Sequence, residues 1–79
     1  MNQMETELLE FAVAWAPYGG NDDEAFVRFG LSSVQFHARL LRLLHGPAAH
    51  VLTHATCAAL HRQCSDRLRH VRYENDRPA

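Results

Sequence analysis

The chain has 79 residues, 47% of them hydrophobic, and a formal net charge of −1. That length allows one domain, and a chain so short buries only about 60% of its unfolded surface, which leaves little room for an enzyme pocket. The composition excludes a disordered polymer, no apolar run approaches the roughly 20 residues that cross a bilayer, and the charge balance excludes a uniformly basic nucleic-acid coat.

The first ten residues carry Glu5, Glu7 and Glu10 where a secretory leader would carry lysine or arginine, so the expected location is cytoplasmic. The first helix is expected over residues 6–18, where Leu8, Leu9, Phe11, Ala12, Trp15 and Ala16 recur at helical spacing. Pro17 and Gly19-Gly20 end it. Asn21 or Asp22 caps a short second helix over residues 22–29, with Ala25, Phe26 and Phe29 facing inward. Gly30 closes that helix as a left-handed cap, Leu31 plugs the corner, and Ser32 opens a third helix that runs to about His45. Gly46-Pro47 separates it from a long fourth helix, expected over residues 48–72. The architecture is all-α: a helix-turn-helix bundle of three short helices and one long one, with a domain over residues 1–73 and a polar tail over 74–79.

The corner reads either as a DNA-reading helix-turn-helix or as a simple fold-back between helices. Trp15, Asp22-Asp23-Glu24, Phe29-Gly30, Leu31-Ser32 and Phe36-His37 together resemble a group of short, uncharacterised actinobacterial proteins with a predicted helix-turn-helix. The resemblance covers roughly residues 8–44. It implies a helix-turn-helix fold and a regulatory role, and brings no ligand or activity with it. After Gly46 the likeness stops: those proteins end in an arginine-rich tail, whereas this chain has a helix rich in histidine and cysteine.

Charge is segregated. Only Asp66 of the nine acids lies in residues 26–71, which hold six arginines and all six histidines. On the third helix Gln35, Arg39 and Arg42 form one polar stripe opposite Phe36, Leu40 and Leu43. Arginine reads guanine and glutamine reads adenine in the major groove. With Ser32 and Ser33 at the helix start, these are the expected DNA-binding residues. Val34, Ala38 and Leu41 form a second, apolar strip that suits a protein partner. Arg62, Arg67, Arg69 and Arg72 are expected to contact phosphates or to stay solvated.

The fourth helix carries His50, His54, Cys57, His61 and Cys64 in steps of three and four. Imidazole and thiolate are zinc's preferred ligands, and His54, Cys57 and His61 have pairwise ligand spacing. One straight helix cannot wrap an ion, so zinc would need a second chain. Alternatively the stripe is the packing seam of a dimer, with Val51, Leu52, Ala55, Ala58 and Ala59 facing the other helices. No cofactor is expected unless that zinc is present. Nothing organises a nucleophile or a phosphate loop, so enzymatic activity is not expected. The expected function is a cytoplasmic, homodimeric DNA-binding protein in transcription regulation, with no membrane association. The alternative is a protein-interaction module, an adaptor or inhibitor built on the same scaffold.

Overall fold

A computed structural model describes the backbone of residues 1–75 and the side chains of residues 1–69. It is all-α: helices α1 (Gln3–Trp15), α2 (Asp22–Phe29), α3 (Ser33–Leu44) and α4 (His54–Asn75), with 3₁₀ turns at Ala16–Tyr18 and Pro47–His50. Strands are absent among the described residues. The expected phosphate contact at Arg72 lies beyond the described side chains, and residues 76–79 of the expected tail lie outside the described residues.

Side-chain caps decide where the helices begin. Asn2 accepts the Glu5 amide while the Glu5 carboxylate accepts the Asn2 amide, so α1 starts three residues before the expected Thr6. Asn21 caps α2 through the Glu24 amide. Ser32 and Gln35 form a second reciprocal box at the head of α3. The largest departure is at α4. Pro47 opens only a 3₁₀ turn, and the helix begins at His54, where the Thr53 hydroxyl accepts the Thr56 amide. His50 therefore stands outside α4 and outside the stripe to which the sequence assigns it.

α3 is the hub and touches α1, α2 and α4. Its Phe36, Leu40, Leu43 and Leu44 are buried together with Leu8, Leu9, Phe11 and Ala12 of α1, Ala25 of α2 and Leu31 of the corner. Phe11 meets the rings of Phe29 and Phe36 edge-on at 5.5 and 5.7 Å, an arrangement that brings the positive ring edge to the negative face. The Arg28 guanidinium lies 5.7 and 5.5 Å from the centroids of Phe11 and Phe29. Phe26 departs from expectation. Ala25 and Phe29 set the inward direction of α2, and at about 100° per residue Phe26 swings out to 61% exposure.

α4 also turns a different face inward from the expected one. Leu60 and Cys64 are buried and Cys57 packs against the core, whereas Val51, Ala55, Ala58 and Ala59 are exposed; Leu52 alone of the expected packing face is half-buried. Alanines recur at helical spacing as regularly as a packing face does, but Leu60 between the two cysteines buries more apolar surface than they offer.

Gly30 closes α2 at φ 69°, and its amide donates to the Phe26 carbonyl. A Cβ there would meet nothing within 4 Å, so any penalty comes from the backbone and not from crowding. Gly30→Val should cost about 1 kcal/mol or more, which lowers the melting temperature by roughly 4–8 °C in a domain this size. Gly30→Asn should lose less, because asparagine tolerates the left-handed conformation. Equal melting of the valine and wild-type proteins would show that the cap carries no strain.

Candidate functional site

The residues expected to read DNA divide into two groups by what already holds them. The Ser32 hydroxyl accepts the Gln35 amide, and the Gln35 side-chain oxygen accepts the Ser32 amide. Both side chains are committed to the cap, and only the Gln35 amide nitrogen is left to donate outward. Ser33 is half-buried and donates to Asp22 Oδ2 at 2.8 Å. Arg39 and Arg42 are exposed, on the same side of α3, and among the described residues neither has an ion-pair partner. They stand with Gln35 and Ala38 on one wall of a groove of about 510 Å³, faced by Asn2, Glu5 and Met4 of the first turn of α1.

Behind the α3–α4 contact lies a polar cluster that the sequence does not announce. Arg67 of α4 donates through Nε to Asp22 Oδ2 at 3.1 Å and through Nη2 to the Gly19 carbonyl at 2.8 Å. Arg67 is therefore a structural residue and not a free phosphate contact. His37 is fully buried. Its Nδ1 lies 2.9 Å from the Ser33 carbonyl, which can only accept, so Nδ1 carries the proton. Nε2 then accepts from the Gln63 amide at 3.0 Å, with Asp22 Oδ1 4.0 Å away. Gly20 makes room for this contact: at φ 90° it packs where a Cβ would stand 2.6 Å from Gln63 Nε2.

The protonation states follow from these partners. Burial lowers the His37 pKa below its ordinary 6.5, and the nearby Arg67 charge adds to the effect; the Ser33 carbonyl and Asp22 oppose both without reversing the direction. For Asp22, burial raises the pKa, but hydrogen bonds from Ser33 and Arg67 and the charges of Arg67 and His37 outweigh it, leaving the carboxyl below 3.8. Burial pushes the Cys64 thiol up to about 12.

The same rotation of α4 gives the expected metal residues different exposure. His54 and His61 are exposed, Cys57 is half-buried, and Cys64 is sealed in the core as a neutral thiol. Among the described residues no three His, Cys, Asp or Glu side chains are grouped to hold an ion, so His54, Cys57 and His61 do not make a zinc site within one chain. Cys64 is also lost to any seam or disulfide between chains. His61 instead meets His45, the residue after α3, with Nε2 atoms 3.1 Å apart.

Stability should follow the two shifted groups. His37 contributes stability above pH 6.5 that is lost as pH falls below that value, because the fold holds the neutral ring. Asp22 contributes stability above pH 3.8 that is lost as pH falls through its lower folded value. Asp22→Asn should cost about 1 kcal/mol at pH 7, since the half-exposed Arg67 is partly solvated. The difference should shrink as pH drops below 3.8, where the wild-type carboxyl also becomes neutral. Urea unfolding of both proteins from pH 7 to pH 3 checks this, and a gap independent of pH would remove the carboxylate from the account.

No curated protein and no solved structure matches the chain. One family model does, across residues 1–77, and it is described as a protein of unknown function (DUF3263). The segregated charge, the α2–Gly30–Leu31–Ser32–α3 corner and the helix that packs over it are thus features of one continuous match, and the chain belongs to the DUF3263 family.

Proposed function

We propose that this protein is a small DNA-binding regulator that presents α3 to the duplex through Arg39 and Arg42. The observation that carries the reading is their placement. Two arginines, exposed and without ion-pair partners among the described residues, share one side of a helix whose opposite side is locked into the core. A rigid helix that projects unpaired guanidinium groups fits bidentate recognition of guanine or phosphate. Gln35 keeps an amide donor at the same face, while Ser32 and Ser33 act as scaffold.

Two arginines per chain make a small footprint. We therefore read the active form as a cytoplasmic homodimer that places two copies of α3 one helical turn of DNA apart, in transcription control. Light scattering should give about twice the 9.0 kDa chain mass, and a monomer at micromolar concentration would count against the paired arrangement.

A second reading has its own observation. Phe26 and Val27 stand 61% and 76% exposed side by side on α2, a place where an apolar protein partner would bind. The two readings differ in their salt response. DNA binding through phosphates weakens linearly in the logarithm of salt, and an apolar contact does not. Arg39→Ala and Arg42→Ala should each weaken DNA binding by about 1–3 kcal/mol while the melting temperature holds. If the wild-type protein shows no salt-sensitive retention of genomic fragments at low ionic strength, the α2 face becomes the reading to pursue.

A further inference from the structure

Among the described residues, the contact between His45 and His61 brings two exposed metal-ligating nitrogens from different parts of the chain together. His45 follows the last turn of α3, and His61 lies two turns into α4. Sixteen residues separate them in sequence, yet their Nε2 atoms are 3.1 Å apart and their rings are tilted by 30°. Both side chains are exposed, so burial does not force the meeting.

Two facing imidazole nitrogens at that distance need something between them. Each neutral ring has one N–H and one lone pair. The contact is satisfied only when one Nε2 carries a proton and the other does not. A metal ion can take the proton's place. With zinc–nitrogen bonds of 2.0–2.1 Å and tetrahedral angles, two ligating nitrogens stand about 3.3 Å apart. The pair needs to open by only about 0.2 Å to reach that separation.

The surroundings leave room for the rest of a coordination shell. The two rings border an open cavity of about 580 Å³, which His54, Cys57, Arg62 and Asp66 also line. Asp66 accepts from Arg69, so its charge is already matched. Neither Cys57 nor His54 joins the pair in a group of three.

The geometry points to a surface site for a borderline divalent transition metal, with zinc as the reference ion, held by Nε2 of His45 and Nε2 of His61 and completed by water. Binding moves the bridging proton to Nδ1 of the same ring, or to solvent if the pair is protonated, and exposes both Nε2 lone pairs to the ion. The ion would tie the end of α3 to the second and third turns of α4 across the loop that joins them. This site is independent of the DNA reading, and it differs from a zinc site built on α4 alone because it requires His45.

The test is a titration of untagged protein with zinc chloride at pH 7.5, followed by calorimetry and thermal melting. One ion per chain and a rise in melting temperature are expected. His45→Ala and His61→Ala should each weaken binding by about tenfold or more, a loss at least as large as outer-shell partners of a metal produce. Both residues are exposed, so the variants should fold, and their circular dichroism spectra check this. His54→Ala, Cys57→Ser and His50→Ala should retain binding. In imidazole-detected nitrogen NMR, the His45 and His61 rings should shift on adding zinc while the buried His37 ring does not. No heat and no thermal shift in the wild-type protein would overturn the proposal. So would undiminished binding in His45→Ala, or loss of binding in Cys57→Ser, which would hand the ion to the ligands of α4.

Discussion

The fold turns on the Asp22 carboxylate. It sits at the head of α2, accepts from Ser33 at the head of α3, and accepts from Arg67 four turns along α4. Arg67 also reaches the Gly19 carbonyl, so the turn before α2 is held by the same guanidinium. Three helices and one turn thereby converge on a single charged group. Apolar contacts between helices tolerate sliding, since any residue of the right size satisfies them. A carboxylate with directed partners does not, and each buried donor must find its acceptor or lose the free energy of its solvation. The cluster therefore fixes how far α4 slides along α3, while the apolar core supplies most of the burial. Because Asp22 and Arg67 are both partly solvated, removing one partner leaves the other in contact with water, and the cost stays modest.

This arrangement also decides which surface is open. In the usual frame of a helix-turn-helix, the residues after the corner that point outward include Ser33, His37 and Leu41. Here Ser33 is tied to Asp22, His37 is buried against Gln63, and Leu41 is half-buried against the core. α2 and α4 thus occupy part of the side of α3 that such a frame would offer to a groove, although Ser32, Val34 and Ala38 stay exposed. What remains of α3 in solvent is Val34 with the strip through Gln35, Ala38, Arg39 and Arg42. Among the described residues these arginines have no ion-pair partner: Asp22 is used by the cluster, and the Glu5 carboxylate across the groove already serves the Asn2 amide. The segregation of charge along the chain is in this sense a property of the fold, and not only of composition.

Helix identity was legible wherever local chemistry and apolar period agreed. α2, its left-handed glycine and the Ser32 cap follow from residues adjacent in sequence, and α3's core face follows from Phe36, Leu40, Leu43 and Leu44. Two starts were readable but masked. The Asn2–Glu5 spacing is a capping box, hidden by the apolar period that begins only at Leu8. Thr53 is a capping residue, hidden because Gly46-Pro47 offers a start signal six residues earlier. The faces of α4 were not legible, because its stripe mixes residues of similar size and intermediate polarity. At about 100° per residue, Cys57 and Cys64 point near Leu60 while His54 and His61 fall at the edge of the same sector. Which edge turns inward is set by tertiary contacts. The same holds for Asp22, Ser33, His37, Gln63 and Arg67, whose partners lie 11 to 45 residues apart.

The two histidine environments show how one side chain serves different purposes toward the two ends of α3. His37 has its two ring nitrogens assigned by fixed partners, a carbonyl on one and an amide on the other, and burial holds it neutral. It is a structural pin with one tautomer. Among the described residues His45 and His61 have only each other as ring-nitrogen partners, at the solvent edge, and their contact does not specify which nitrogen carries the proton. A ring held by two fixed partners keeps one tautomer, whereas the outer pair is satisfied with the proton on either Nε2. The His37 contacts and the His45–His61 contact both join α3 to α4, one near the start of α3 and the other just past its end. Whatever occupies the outer pair acts on the same interface that the inner cluster has already positioned. Its effect on α3 is therefore to stiffen an existing arrangement and not to create a new one.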